Sequence, residues 1–180
     1  KQGQSYNDPD FVKAANCIKE LVDMGAFIDG ATGLSNDEAS ASFYAEQVPM
    51  YFTGSWMGGS IVTDAEKPDN FAVAPIPVVN SANASVTDFM GGGSDTLMVS
   101  ASTKNKDLAA AAAFEITRGV SKHAYLSGAG IPAWTVDYDA SSVPALTQQV
   151  ADIAGKATSY TLWFDTLMSS DDAGEYLTLL

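Results

Sequence analysis

Along the first part of the chain apolar residues recur with helical spacing. Phe11, Ala14, Ala15, Ile18, Leu21 and Val22 lie on one face of a 3.6-residue period. Asp8-Pro9 precedes them, a capping residue and a proline that the first helical turn tolerates, and Gly25 follows as a stop. A helix is predicted from Pro9 to about residue 22, and a second from Asn36 to Glu46, with Ala39, Phe43 and Tyr44 on related faces. Val48 to Phe52 then reads as a strand. Behind the Thr53-Gly54-Ser55 corner, Trp56 to Val62 reads as a short helix. "NFAVAPIPVV" predicts a strand that Pro75 and Pro77 end or push to a sheet edge. Residues 80–87 are small and polar, a crossing loop or hairpin. Three glycines, Gly91 to Gly93, lead into a predicted strand from Thr96 to Ser100. "TKNKDLAAAAAFEITRG" predicts a helix with an alanine stripe, closed by Arg118 and Gly119. "VSKHAYL" is a further amphipathic helical stretch and "GAGIPAW" a loop. Two more helices are predicted at about 142–154 and 159–169. Most strands are followed by helices, so the fold class is α/β.

Charge narrows the partners. The 180 residues carry 22 acidic and 9 basic side chains, a net charge of −13, and 46% of them are hydrophobic. A real core is affordable, but phosphate backbones and anionic lipid surfaces are repelled, so no nucleic-acid partner is expected. A neutral ligand fits such a field. The lone Cys17 allows no internal disulfide and reads as a small buried apolar residue. His123, the single histidine, sits in the "VSKHAYL" helix and reads as a surface or satisfied side chain. No apolar run is long enough to span a membrane. Lys1 begins without Met and the end runs out on an apolar helical stretch, which reads as a mature or excised piece of a longer chain.

Candidate chemistry is sparse. Gly92-Gly93-Ser94-Asp95-Thr96 lacks the closing glycine of a nucleophile elbow. There is no phosphate-cradling glycine motif, and two His or Cys residues are too few for a zinc site. Asp137 to Asp139 could be a piece of an oxygen-lined calcium site, but it lacks the glycine and bidentate glutamate of a full loop. No cofactor or metal is expected. Carboxylates paired in space for glycoside hydrolysis stay open as an alternative, with no pair singled out. What remains is aromatic: Trp56 after a Gly-Ser turn, Trp134 after "GIPA", and Trp163 in "SYTLWFD". An indole can pack in a core, or offer its face to the C–H face of a sugar ring. The turn positions of Trp56 and Trp134 favour the surface. Gly91 to Gly93 permit close approach of a ligand. Ser55, Asp64, Ser94 and Asp95 are the candidate polar partners at the sugar's edge.

These residues resemble a family. "FYAEQVPMYFTGSW" is similar to the segment of family 1 extracellular solute-binding proteins that runs Phe-x-x-Gly-x-x-Ala-Met and then Gly-x-Trp. These are the maltose-binding-protein-like, substrate-capturing subunits of carbohydrate ABC importers. "NFAVAPIPVV", "MGGGSDTLMVSASTKNKDLAAAAAFEI" and "SGAGIPAW" resemble further family segments in the same order. The likeness runs from about residue 8 to 168. The chain departs from the pattern at Glu46-Gln47, where the family has Gly-Lys, and at Pro49, where it has Ala. The resemblance implies a type II two-lobe fold with the ligand in a cleft between α/β lobes. Residues 1–79 and 134–180 would form the C-terminal lobe, and residues 88–130 would cross over to an N-terminal lobe absent here. It implies ligand-binding roles for Trp56, Ser55, Gly92, Gly93, Trp163, Trp134 and Asp95. The expected partners are an oligosaccharide and the importer's permease subunits, outside the cell or in a periplasm, with or without a lipid anchor. A carbohydrate-active enzyme and a receptor for a polyol or peptide are the alternatives. The unpartnered alanine face at 109–113 predicts a dimer of the fragment, and a half-cleft predicts weak sugar binding by the fragment alone.

Overall fold

The computed structural model describes residues 7–92, 95–135, 137–163 and 165–179. It comprises two compact units, Lys1–Phe52 and Thr53–Leu180.

The first unit holds α1 (Pro9–Asp23) and α2 (Asn36–Tyr44), with a single 3-10 turn at Ala31–Gly33 between them. Asp8 is extended and Pro9 opens α1, as the sequence predicts. The helix ends where the chain reverses through Gly25 at φ 71°. There the N–H groups of Ala26 and Gly25 donate to the carbonyls of Leu21 and Val22, both at 3.0 Å. A left-handed residue is cheap when it has no Cβ. α2 begins with a reciprocal cap. Ser35 Oγ accepts from the Glu38 N–H, and the Glu38 carboxylate accepts from the Ser35 N–H at 2.8 Å.

α2 ends in the same kind of reversal, built on a different residue. Gln47 and Glu46 donate to the carbonyls of Ser42 and Phe43, both at 3.0 Å. That leaves Glu46 left-handed at φ 57°. A side chain there costs about 1–2 kcal/mol, which gives a physical meaning to the glycine of the resembling pattern. The predicted strand at Val48–Phe52 does not form: the segment has no ladder partner among the described residues. Pro49 has no N–H to offer a neighbour, and Tyr51 is drawn back onto α2. Its ring stacks on Phe43 at 5.6 Å, and its hydroxyl donates to Asn36 Oδ1 at 2.9 Å. On α1, Phe11 and Cys17 are half-buried while Ile18, Leu21 and Val22 are exposed, so Cys17 is not the core residue the sequence predicts.

The second unit contains α3 (Met57–Asp64), β1 (Asp88–Met90), α4 (Lys106–Ser127), α5 (Ala145–Ala154), β2 (Ser159–Thr161) and α6 (Ser170–Leu179). Its core joins Met57, Ile61 and Ala65 to Tyr125 of α4 and to Val143 and Leu146 beside and on α5. Glycines make this packing possible. The Gly59 N–H donates to the Gly128 carbonyl at 2.8 Å, where Gly128 caps α4 at φ 81°. A Cβ on Gly128 would lie 2.7 Å from the Gly59 nitrogen, and one on Gly58 would lie 2.8 Å from Thr147 Oγ1. Thr147 is fully buried there, and its hydroxyl has no hydrogen-bond partner among the described residues.

α4 corrects one prediction. It runs 22 residues straight through Gly119. A mid-helix glycine costs about 1 kcal/mol but removes no backbone bond. The helical pattern resumes in "VSKHAYL", so the two predicted helices are one. Along it Ala109, Ala113 and Thr117 are half-buried, whereas Leu108, Ile116 and Val120 are exposed.

The strands differ more. β1 and β2 pair in parallel, Asp88 opposite Ser159, Phe89 opposite Tyr160 and Met90 opposite Thr161. β1 thus precedes the glycines. The predicted strands at 71–79 and Thr96–Ser100 have no ladder partner among the described residues. In the first, Pro75 and Pro77 withdraw two donors. The predicted helix at 159–169 is instead β2 followed by a 3-10 turn at Asp165–Leu167. Thr158, Tyr160 and Thr161 are β-branched or aromatic and suit a pleated surface better than a helix.

Candidate functional site

Trp56 immediately precedes α3, and 58% of it is exposed. Its indole is nevertheless held. The six-membered ring lies over the bare Cα of Gly54, so close that a Cβ on Gly54 would overlap Cε3, Cζ3 and Cη2. The spacing of the Gly-x-Trp phrase therefore has a local reason: the glycine is the seat of the indole two residues on. Half-buried Ser55 completes the corner between them, where the Met57 N–H donates to the Gly54 carbonyl at 3.3 Å.

The second cluster forms where β1 and β2 end together. The Gly91 N–H donates to the Thr161 carbonyl at 2.9 Å and prolongs the ladder by one step. Gly91 itself is buried at φ 121°. A Cβ there would lie 3.6 Å from Trp163 Nε1, and one on Gly92 would lie 2.9 Å from Leu162 Cδ2. Trp163 is 40% exposed. Parallel strands in α/β folds present ligands with their carboxyl ends, and these two carry Gly91 and Gly92 on one strand and Trp163 on the other. Leu162 was not among the predicted site residues, and Gly91 was singled out only as part of the glycine run. The glycine run and the "LWF" phrase carry their signal, but only the parallel register shows that the two phrases meet.

Trp134 sits against α4. It is 36% exposed and packs edge-on against Phe114 of α4, with ring centroids 5.0 Å apart and planes at 74°. Arg118 in turn lies over the Phe114 ring at 5.8 Å. Asp95 and Asp64 are exposed. Gly93 and Ser94, also predicted to line the site, lie outside the described residues. A hollow of about 380 Å³ beside α3 and α5 is lined by Val62, Phe71, Pro144 and Leu146 among others and includes none of the predicted site residues.

Asp88 and Asp139 are held by hydrogen bonds from hydroxyls and backbone N–H groups. Ser159 Oγ donates to Asp88 at 2.7 Å and the Ser85 N–H donates at 2.7 Å, which holds the Asp88 carboxyl below its ordinary value. Ser141 does the same for Asp139 through its hydroxyl and its N–H. Among the described residues no three His, Cys, Asp or Glu side chains gather as a metal site requires.

Comparison with known proteins adds to this geometry. No curated protein sequence matches the chain. A solved structure reported with xylan utilization by the thermophilic bacterium Caldanaerobius polysaccharolyticus superimposes with a TM-score of 0.88 and 32% sequence identity. The match covers 98% of this chain and 46% of that one, so this chain spans about half the length of its structural neighbour. The sequence profile described as "Bacterial extracellular solute-binding protein" matches residues 1–114. With the fold and the larger part of the sequence in agreement, the chain belongs to the bacterial extracellular solute-binding protein family and represents part of that mixed α/β fold.

Proposed function

We propose that the protein to which this chain belongs captures an oligosaccharide, of the kind released from xylan, and delivers it to the permease of an ABC importer without altering it. The observation that carries the reading is the Trp56 corner. An indole that is mostly open to solvent, yet seated on its own glycine, is preorganised to receive a flat apolar face. A sugar ring offers that face, and the structural neighbour's connection with xylan makes xylo-oligosaccharides the first candidates. Trp163 beside Gly91 supplies a second ring of the same character.

The same reading assigns residues 1–79 and 134–180 to one lobe of a type II two-lobe receptor and residues 88–130 to a segment completing the other. The exposed apolar side chains of α4, with Val120 at 61%, suit a helix whose covering lies elsewhere in the longer chain. The receptor would work outside the cytoplasmic membrane, lipid-anchored or free in a periplasm. Titration calorimetry of the full-length protein with xylobiose through xylohexaose tests this, with chromatography of the recovered sugar. Saturable binding with intact sugar is expected. Shortened products at catalytic protein concentrations would make the protein an enzyme, and absence of binding across the series would remove xylan-derived sugars.

A further inference from the structure

We propose that Asp88 is a positioning residue for the Trp163 end of the β1–β2 pair and, on the sugar-binding reading above, a determinant of affinity that never touches the sugar. The ladder is three residues long and β2 is exposed throughout. Such a pair has few backbone bonds and little buried surface to specify its register. A slip of one residue would move Trp163 by about 3.3 Å and turn it to the other face. Phe89 and Tyr160 meet at the middle pair with ring centroids 6.1 Å apart and Gly91 adds one backbone bond at the exit, while the side-chain hydrogen bonds gather at the strands' entry.

There one carboxylate ties three residues together. Asp88 Oδ1 accepts from Ser159 Oγ at 2.7 Å and from Thr158 Oγ1 at 3.4 Å. Its Oδ2 accepts from the Ser85 N–H at 2.7 Å, which binds the preceding turn to the same group. Beside it the hydroxyls of Thr87 and Thr158 are 2.7 Å apart, and the Thr158 N–H donates to the Thr87 carbonyl at 2.9 Å. At the exit end, among the described residues, Gly91 and Gly92 have no side chain, Leu162 is apolar, and the hydroxyl of Thr161 stands opposite the apolar Met90. Three strand steps separate Asp88 from Gly91, about 10 Å. Asp88 thus lies at the opposite end of the pair from Trp163, and its influence on that indole passes along the paired strands.

The test is a double-mutant cycle in the full-length protein, combined with NMR of the indole N–H groups. The Trp163 cross-peak is assigned by its loss in Trp163→Phe. Without any sugar, Asp88→Ala is expected to shift or broaden the Trp163 cross-peak while that of Trp134 stays in place. With xylohexaose, Asp88→Ala is expected to weaken binding about tenfold alone, and by much less in a Trp163→Ala background, the signature of residues that act through one another. A folded Asp88→Ala protein with an unmoved Trp163 cross-peak overturns the proposal, as does a loss fully additive with Trp163→Ala. Ser159→Ala, which removes one hydroxyl, is run beside it and is judged by the same criteria if Asp88→Ala does not fold. If the wild-type protein binds no sugar, the functional reading fails, and the sugar-free cross-peak still decides the role of Asp88.

Discussion

Replacing Gly54 by Ala leaves every candidate sugar contact in the sequence, yet should cost binding. A Cβ at residue 54 would occupy the space of the Trp56 six-membered ring, so the indole must swing off its seat. The size of the effect follows from the exposed face. A Trp presents about 150–250 Å² in all, and 58% of Trp56 is open. A stacked sugar covering about 50–80 Å² of it, at ~25 cal/mol per Å², is worth about 1–2 kcal/mol. That corresponds to about 5- to 30-fold in affinity. Gly54→Ala and Trp56→Ala should therefore each weaken oligosaccharide binding by this amount in the full-length protein, and the double variant little more than either alone. The fold should survive Trp56→Ala, because the ring is mostly exposed. Calorimetry and thermal melting on the three variants read both quantities. The reasoning is refuted if Gly54→Ala binds like wild type while Trp56→Ala is weakened, since the glycine then does not hold the ring. Unchanged binding in both variants would remove Trp56 from the site.

The remaining predictions concern the scaffold. Glu46→Gly should stabilise the chain by about 1 kcal/mol, because the left-handed turn after α2 then carries no Cβ; chemical denaturation that shows no gain contradicts the assignment of strain there. Gly128→Ala should destabilise by about 2–4 kcal/mol, combining a left-handed backbone with a Cβ driven against Gly59, and a melting point equal to wild type would mean the close crossing is not required. Asp88 is held below the ordinary carboxylate range, so its stabilising contribution is present above about pH 4 and is lost as the pH falls through its folded value. Asp88→Asn should accordingly flatten the acid side of the stability–pH profile, and superimposable profiles would refute that.

Helices were legible in the sequence because their signals are local. Asp8-Pro9 and Gly25 bound α1, and the spacing of Ala39, Phe43 and Tyr44 marks α2, whose Ser35–Glu38 cap the structure then shows. Gly119 misleads because a glycine marks a helix end only when the chain also reverses there. Gly128 does so at φ 81°, whereas Gly119 lies within α4. Strands were poorly legible for the opposite reason. A strand exists only where a neighbour accepts its bonds, and neither Val48–Phe52 nor Thr96–Ser100 has that neighbour among the described residues. The strands that do pair, Asp-Phe-Met and Ser-Tyr-Thr, are too short for alternation to show. At the candidate site, the exposure of Trp56 followed from its place after a Gly-Ser turn, whereas Trp163, read as part of a helix at 159–169, lies instead just past the end of β2. The seat under Trp56 did not, since Gly54 matters through a contact that exists only once the chain has folded.

The central claim is that the indole at the Gly54 corner receives a sugar ring. A crystal structure of the full-length protein with bound xylo-oligosaccharide tests it most directly. A pyranose face is expected parallel to the Trp56 indole at about 4 Å, ordinary van der Waals contact. An oligosaccharide bound at full occupancy with the Trp56 face turned to solvent would contradict it.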